Sequence, residues 1–184
     1  TPLTAIIGSA SAALDEKVSE NKAVREQLSL DIMDSSLRLN QVVENLLDMS
    51  RLNSGALRLN KEWIDLEDLL NTLPGKLGRL AAHHKIVVQS SGSCLVQVDE
   101  KIFEHVLLNL VSNAIRYAPA GSEVTLQLEP PEEDKVRLHV LDQGPGIPAS
   151  YLKQIFEAFF RIPGSTTGGV GLGLAIVKSL VEAH

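Results

Sequence analysis

The sequence predicts an α+β protein in which a helical hairpin precedes a mixed α/β region. Two patterns indicate this. Residues 1–54 carry apolar side chains almost entirely at helical spacing, whereas from residue 55 onward short alternating segments and helical segments follow one another. The 184 residues, 44% of them apolar, are enough for one sizeable core with a helical appendage. We therefore expect two domains, 1–54 and 55–184.

Composition excludes several classes of function. The net charge is −6 with both signs mixed along the chain, which argues against a nucleic-acid-binding surface. Cys94 is the only cysteine, so neither an intramolecular disulfide nor a thiolate zinc site is expected, and a half-buried strand residue is favoured over a reactive thiol. No apolar run approaches the roughly 18 residues of a membrane span, and no signal peptide is visible. These features are typical of a soluble, cytoplasmic piece of a longer protein.

The hairpin consists of a first helix to about Leu14, a polar turn over 15–22 and a second helix over about 23–52, after which Gly55 is expected as the C-cap. The second helix carries a coiled-coil seam, since apolar positions alternate in steps of four and three. The seam consists of Leu28, Ile32, Ser35, Leu39, Val42, Leu46 and Met49. Two copies forming a four-helix bundle, and hence a homodimer, would bury it. Packing of the hairpin on its own globular domain is the alternative.

The α/β region alternates strands and helices. The expected strands are 57–63, 85–89, 95–98, 123–128 and 136–141, and the last two are expected to form a hairpin. The expected helices are 66–82 capped by Asp65, 99–118 capped by Asp99, a short helix at 149–156, and 172–184. Two loops, 142–148 and 161–169, are rich in glycine with proline, serine or threonine, and the second is expected to be mobile.

Asn109 and Asn113 form the first candidate functional motif. They are four residues apart in the predicted helix 99–118, so they occupy adjacent turns of one face, with Arg116 close to the same line. Asparagine is unfavourable in a helix interior. The pair is therefore either a solvated polar stripe or a binding site. An amide oxygen of Asn113 can ligate Mg²⁺, Asn109 can bind a phosphate or a metal-bound water, Arg116 supplies charge, and Tyr117 supplies an aromatic wall.

Asp142, Gly144 and Gly146 form the second motif, directly after a predicted strand. The strand end supports the carboxylate, and the glycines let the backbone approach a flat ligand. Because an ionised carboxylate only accepts hydrogen bonds, it suits an amino-bearing ring such as adenine and rejects guanine. An ordinary Asp–Gly turn is the alternative.

Gly169, Gly171 and Gly173 form the third motif, which opens the last helix. Glycines at a helix N-terminus expose backbone N–H groups where the helix dipole also favours an anion, so a phosphate site is expected. The spacing differs from the dinucleotide fingerprint G-x-G-x-x-G, and no strand precedes the loop, so a Rossmann fold is excluded.

The order of these motifs resembles the catalytic core of bacterial sensor histidine kinases, within the ATPase superfamily that includes gyrase and the Hsp90 chaperones. Asn109–Tyr117 is similar to the N box, Asp142–Gly146 and Gly169–Gly173 to the two glycine boxes, and Phe156–Phe160 to the F box. Thr1–Thr4 resembles the end of the H box, and residues 1–54 resemble the dimerisation and histidine-phosphotransfer hairpin. Residues 45–51, 54–55 and 61–63 further resemble the potassium-responsive branch of the family.

The resemblance implies a two-layer α/β sandwich that holds Mg·ATP between the asparagine helix and a lid formed by Arg161 to Gly169. Asp142 would bind the adenine amino group, Asn113 would bind Mg²⁺, and Asn109 would replace the catalytic glutamate of the hydrolytic relatives. The ATP-binding set implied by the resemblance consists of Asn109, Asn113, Arg116, Tyr117, Asp142, Gly144, Gly146, Ile147, Phe156, Arg161, Gly169, Val170, Gly171, Leu172 and Gly173.

The resemblance also implies a reaction and partners. The γ-phosphoryl group would pass in line to a histidine and then to an aspartate in the receiver domain of a response regulator. The accepting histidine would lie four residues before Thr1, and the family's last two strands would follow His184, so neither is in this sequence. Thr1 would assist phosphatase activity, and segments outside this sequence would anchor the protein to the inner membrane. Two rival functions are a degenerate ATP sensor that signals by conformation and a gyrase-type ATPase.

Overall fold

The computed structural model describes residues 1–15, 21–55, 57–133, 135–165 and 169–184. It divides into two compact units, Thr1–Ser54 and Gly55–His184. The first unit is helical, and the second combines helices with two small sheets, as expected for an α+β chain. Among the described residues, no helix is both long and apolar enough to cross a membrane.

The first unit consists of α1 (Pro2–Ala13) and α2 (Lys22–Asn53). Thr1 caps α1, where its hydroxyl accepts a hydrogen bond from the Thr4 N–H at 3.3 Å, and Asn21 caps α2 in the same way through the N–H groups of Ala23 and Val24. Both helices are thus confirmed, although most of the predicted turn lies outside the described residues. The C-cap of α2 is Ser54, and Gly55 follows it in the left-handed region with φ +64°.

The described residues of the second unit form five strands and three α-helices. The strands are β1 (Glu62–Asp65), β2 (Lys85–Ser90), β3 (Leu95–Val98), β4 (Glu123–Leu128) and β5 (Leu138–Leu141). The helices are α3 (Leu66–Leu77), α4 (Glu100–Tyr117) and α5 (Gly173–Ala183). β1 pairs antiparallel with β3, while β4 lies between β2, to which it is parallel, and β5, to which it is antiparallel.

The core of this unit lies between the helices and the sheet. α3 buries five leucines at helical spacing, and β4 buries every second residue, so each element turns one apolar face inward. The side chains with almost no exposed area are Leu70, Leu73, Leu107, Val111, Val124, Leu126, Ile176 and Leu180. α4 and α5 contribute several of these side chains, and the packed core therefore supports both helices that carry candidate motifs.

Several predicted element boundaries were wrong. The strand predicted for 57–63 is confined to Glu62–Asp65, since pairing with β3 extends only over those residues. The helix predicted to reach 82 ends at Leu77, because Gly78 adopts φ +50°, and a 3₁₀ turn (Gly78–Ala81) follows. The predicted helix 149–156 is two 3₁₀ turns, Ala149–Tyr151 and Gln154–Phe156. β5 begins at Leu138 rather than 136, and the last α-helix begins at Gly173 rather than 172.

Asp65 joins α3 to the loop before β3. Its Oδ1 accepts hydrogen bonds from the N–H groups of Glu67 and Cys94 at 3.0 Å each, and Oδ2 accepts from the Ser93 hydroxyl at 2.5 Å. The hydrogen bonds from Ser93 and Cys94 lower the pKa of the Asp65 carboxyl. Cys94 itself is 3% exposed, and burial together with the Asp65 charge raises the pKa of its thiol. The expected unreactive thiol is therefore consistent with its surroundings, although Cys94 precedes β3 rather than lying within it.

We predict that Asp65→Asn lowers the free energy of unfolding at pH 7. A lowered pKa in the folded state means that the carboxylate contributes stability above the ordinary value of 3.8 and loses that contribution as the pH falls through the folded-state pKa. The variant should therefore also show a shallower loss of stability in acid. Urea unfolding between pH 7 and pH 3 measures both effects. Asp68→Asn, at an exposed position in the same helical turn, is the control and should leave the acid dependence unchanged.

Candidate functional site

α4 presents Asn109 and Asn113 from a helix that is fixed at its start. The Asp99 side chain caps it by accepting a hydrogen bond from the Ile102 N–H at 3.2 Å. Asn109 is only 4% exposed, and its Nδ2 donates to the carbonyl oxygen of His105 at 3.2 Å. A buried amide held in this way is part of the packed interior, so its Oδ1 has a defined direction.

Gly173, the first residue of α5, lies directly against the asparagine pair. A Cβ atom placed on Gly173 would be 3.4 Å from Asn109 Oδ1 and 3.6 Å from Asn113 Nδ2. The N-terminus of α5, with its unpaired N–H groups and positive dipole end, therefore adjoins both amides. The structure thus brings the first and third sequence motifs together.

The loop that follows β5 contacts the other end of the same helix face. Asp142 Oδ1 accepts a hydrogen bond from the Gly144 N–H at 2.7 Å, which closes a tight turn with the carboxylate exposed. A Cβ atom on Gly144 would lie 3.1 Å from the carbonyl oxygen of Tyr117. Tyr117 is one helical turn after Asn113, so all three motifs meet along residues 109–117 of α4.

The third motif also contacts Arg116 and the residues Phe159 and Phe160. A Cβ atom on Gly169 would come within 2.9 Å of Arg116 Nη1. Gly171 accepts a hydrogen bond from the Phe159 N–H at 2.8 Å, and a Cβ on Gly171 would lie 2.6 Å from the carbonyl oxygen of Phe160. Phe159 itself has φ +65°, an unusual conformation for an aromatic residue. Gly171 is therefore held directly against the backbone of Phe159 and Phe160.

Several of the remaining predicted site residues are large apolar side chains that stay partly exposed. Their exposed fractions are 43% for Tyr117 at the end of α4, 42% for Ile147, 40% for Phe156 and 42% for Val170. Leu172, by contrast, is buried at 2% and belongs to the core. Gly146 lies on the exposed loop after Asp142, and Arg161 Nη2 donates to the Ser165 carbonyl at 3.3 Å. Residues 166–168 of the predicted lid lie outside the described residues, and Thr1 belongs to the other unit.

Sequence reasoning did not reveal the part played by His184. It is half-buried, but its Nε2 accepts a hydrogen bond from the Asp99 N–H at 3.2 Å, and Nδ1 contacts the Leu180 carbonyl at 2.7 Å. This contact joins residues 85 positions apart, so no local pattern could have predicted it.

Two family models match the chain. Residues 1–55 match the His Kinase A (phospho-acceptor) domain, and residues 98–184 match the histidine kinase-, DNA gyrase B- and HSP90-like ATPase. The sensor protein KdpD of Escherichia coli K12 is 36% identical over 185 residues, an alignment that spans all of this chain. The chain belongs to the sensor histidine kinase family. The resemblance to this family is therefore confirmed, and similarity to KdpD agrees with the finer resemblance to the potassium-responsive branch.

Solved structures of the family share the fold. The mycobacterial sensor histidine kinase MprB is 31% identical, with a TM-score of 0.61 over 67% of this chain and 80% of that one. ShkA, solved at full length in complex with AMPPNP, is 27% identical, with a TM-score of 0.70 over 100% of this chain and 41% of that one. The chain spans only 20% of the length of E. coli KdpD, so it corresponds to a small part of that relative.

We predict that Gly171→Ala destabilises this unit more than Gly164→Ala does. Both glycines have positive φ, +77° and +80°, so alanine is strained by about 1–2 kcal/mol at either position. Only at Gly171 would the new methyl group also collide with backbone, which should add about 1–3 kcal/mol. Chemical unfolding of the two variants measures the difference. If both variants lost the same free energy of unfolding, the backbone at Phe159 and Phe160 would have shifted to accommodate the methyl group at Gly171.

Proposed function

We propose that this chain is the ATP-binding and phosphoryl-transferring core of a two-component sensor histidine kinase. The observation that carries the proposal is the convergence of three motifs on one stretch of α4. Gly173 adjoins Asn109 and Asn113, and the loop of Asp142 packs on Tyr117. In this proposal residues 1–54 are the dimerisation and phosphotransfer hairpin, and residues 55–184 are the catalytic domain.

The chemistry of each motif supports a role toward one part of ATP. The exposed carboxylate of Asp142 would accept a hydrogen bond from the adenine amino group, and Tyr117, Ile147 and Phe156 would cover the base with apolar surface. The phosphates would lie at the N-terminus of α5, where backbone N–H groups and the helix dipole favour anions, and Arg116 would add charge. The nucleotide analogue in the ShkA structure makes ATP a reasonable ligand for a chain of this fold.

The residues present also fit a magnesium ion. Asn113 is half-buried and its amide group lies beside Gly173, with Nδ2 as the atom nearest the glycine. In this proposal the amide adjoins the phosphate position and would offer its oxygen to the ion. Mg²⁺ usually takes few protein ligands beside waters and phosphate oxygens, which one or two asparagines satisfy. When bound, the ion would neutralise charge that develops on the transferred phosphoryl group.

Asn109 supports phosphoryl transfer rather than hydrolysis. A hydrolytic enzyme needs a general base to activate water, and an amide cannot serve as that base at neutral pH. The amide of Asn109 is also held by the His105 carbonyl. The proposed acceptor is a histidine four residues before Thr1, from which the phosphoryl group passes to an aspartate of a response regulator receiver domain. Thr1, whose hydroxyl caps α1, is a proposed phosphatase residue.

We further propose that residues 1–54 form a homodimer. Large apolar side chains of this unit remain exposed, including Leu3 at 54%, Ile7 at 58%, Met33 at 53% and Leu37 at 65%. A second copy would bury them in a four-helix bundle. Within the full-length protein, we place this chain on the cytoplasmic side of an inner membrane, anchored by segments outside this sequence.

Asp142→Asn should weaken binding of Mg·ATP by about 1–3 kcal/mol while leaving the fold intact. Asparagine can keep the turn to Gly144, but in place of a pure acceptor it presents a group that also donates. Isothermal titration with ATP and with GTP, each with and without Mg²⁺, measures the loss and the base preference. Asp68→Asn removes another exposed carboxylate of the same unit, outside all of the site motifs, and serves as the control. Unchanged ATP affinity in Asp142→Asn would remove Asp142 from the site.

The chain as given should bind Mg·ATP without phosphorylating itself, because the proposed acceptor precedes Thr1. Incubation with γ-labelled ATP should leave the chain unlabelled, and a longer chain that includes the upstream segment should gain acid-labile phosphohistidine. Histidine labelling of residues 1–184 would contradict the proposed acceptor. Nucleotide binding by the longer chain without phosphohistidine would instead favour an ATP sensor that signals by conformation.

A further inference from the structure

The C-terminal end of α5 and the N-terminal end of α4 share one imidazole. The carbonyl oxygen of Leu180 can only accept a hydrogen bond, so the contact at 2.7 Å places the proton of His184 on Nδ1. Nε2 then carries a lone pair, and it accepts from the Asp99 N–H at 3.2 Å. One neutral side chain thus satisfies an unpaired carbonyl of one helix and the backbone N–H of the N-cap residue of another.

The same point also receives the segment that enters β1. Asp99 Oδ2 accepts a hydrogen bond from the Asn60 N–H at 2.9 Å, and the Lys61 ammonium donates to the His184 carbonyl oxygen. The His184 ring lies edge-on to Phe103 with centroids 6.2 Å apart, which adds an apolar contact to the polar ones. Segment 60–61, α4 and α5 therefore meet at a single cluster of Asn60, Asp99, Phe103 and His184.

The cluster lies at the opposite end of the helix pair from the candidate nucleotide site. α5 begins at Gly173, against Asn109 and Asn113, and reaches His184, against Asp99, eleven residues later. A packed helix pair fixed at both ends cannot slide, because its side chains interdigitate in a single register. A shift at His184 would therefore change the position of Gly173 relative to the asparagine amides.

We propose that His184 is a positioning residue, which sets the register of α5 against α4 and so holds the glycine motif against Asn109 and Asn113. This inference rests on the proposed function only for its effect on nucleotide affinity. The mechanical part, from His184 to Gly173, depends on the fold alone. Because Asn60 joins the same cluster, a displacement of the segment before β1 reaches the asparagine helix through Asp99.

Three variants in the full chain separate hydrogen bonding from packing. His184→Phe keeps a ring against Phe103 but removes both hydrogen bonds. His184→Gln offers an acceptor and a donor and should restore them. Phe103→Leu weakens the ring contact and leaves the hydrogen bonds in place. Each variant is compared with the parent chain at a temperature well below its own unfolding transition.

Amide hydrogen exchange without nucleotide is the first measurement. His184→Phe should raise exchange at Asp99 and in the segment 169–173 by about tenfold, the scale of one lost hydrogen bond, and His184→Gln should return it to near the parent rate. Phe103→Leu should lower the unfolding temperature without this local effect. Equal exchange in 169–173 for the Phe and Gln variants would overturn the proposal, even if both are less stable.

Titration with Mg·ATP is the second measurement, and about tenfold weaker binding is expected for His184→Phe, with recovery in His184→Gln. If His184→Phe bound Mg·ATP as tightly as the parent chain while exchange at 169–173 was altered, the link between His184 and the nucleotide site would be overturned.

If the parent chain bound no nucleotide, the proposed function would fail, while hydrogen exchange would still decide whether His184 positions Gly173. If His184→Phe failed to fold, His184→Leu would replace it, because leucine also removes both hydrogen bonds of the imidazole. Raised exchange at 169–173 in His184→Leu would support the proposal, and exchange at the parent rate would overturn it.

Discussion

The close approach of glycine backbone to α4 is the constraint on which the site depends. At Gly144 and Gly173 a loop and a helix end come so near the helix that any side chain would touch the Tyr117 carbonyl or the asparagine amides. At Gly169 the neighbour is the Arg116 guanidinium. Residues without a Cβ atom therefore bring two separate segments, the loop after β5 and residues 169–173, to one helical stretch. This convergence turns a polar stripe on a helix into a site.

The rigidity of that stretch comes from the core beneath it. Leu107 and Val111, on the inward face of α4, have no exposed area. Ile176 and Leu180 of α5 are buried to the same extent. Interiors packed at this density resist small displacements, so the amides of Asn109 and Asn113 keep their positions relative to Gly173. The loops, in contrast, keep partly exposed aromatic and aliphatic side chains, which suits a surface that covers and releases a ligand. The packed helices α4 and α5 thus provide rigidity, and the loops provide the surface that can adapt to a ligand.

Much of this arrangement could be predicted from local sequence. β3 at Leu95–Val98, the cap at Asp99 and the asparagine pair were all predicted, because capping, alternation and helical spacing act over a few residues. The parallel pairing of β2 with β4 was not, since it joins segments separated by a helix and another strand. The strand predicted for 57–63 failed for a related reason: its partner β3 is short, and pairing limits its length. Likewise, the positive φ of Phe159 and the contacts of His184 arise only when distant segments pack.

Cys94 has a practical consequence for work on the chain. Its thiol is buried and kept protonated by its surroundings, including the carboxylate of Asp65, so alkylating and cross-linking reagents that require an accessible thiolate should react with it slowly. The native cysteine should therefore contribute little background labelling when spin labels or fluorophores are attached at introduced cysteines. A cysteine introduced at an exposed position outside the proposed dimer surface, such as Trp63 in β1, could be modified selectively without first removing the native residue.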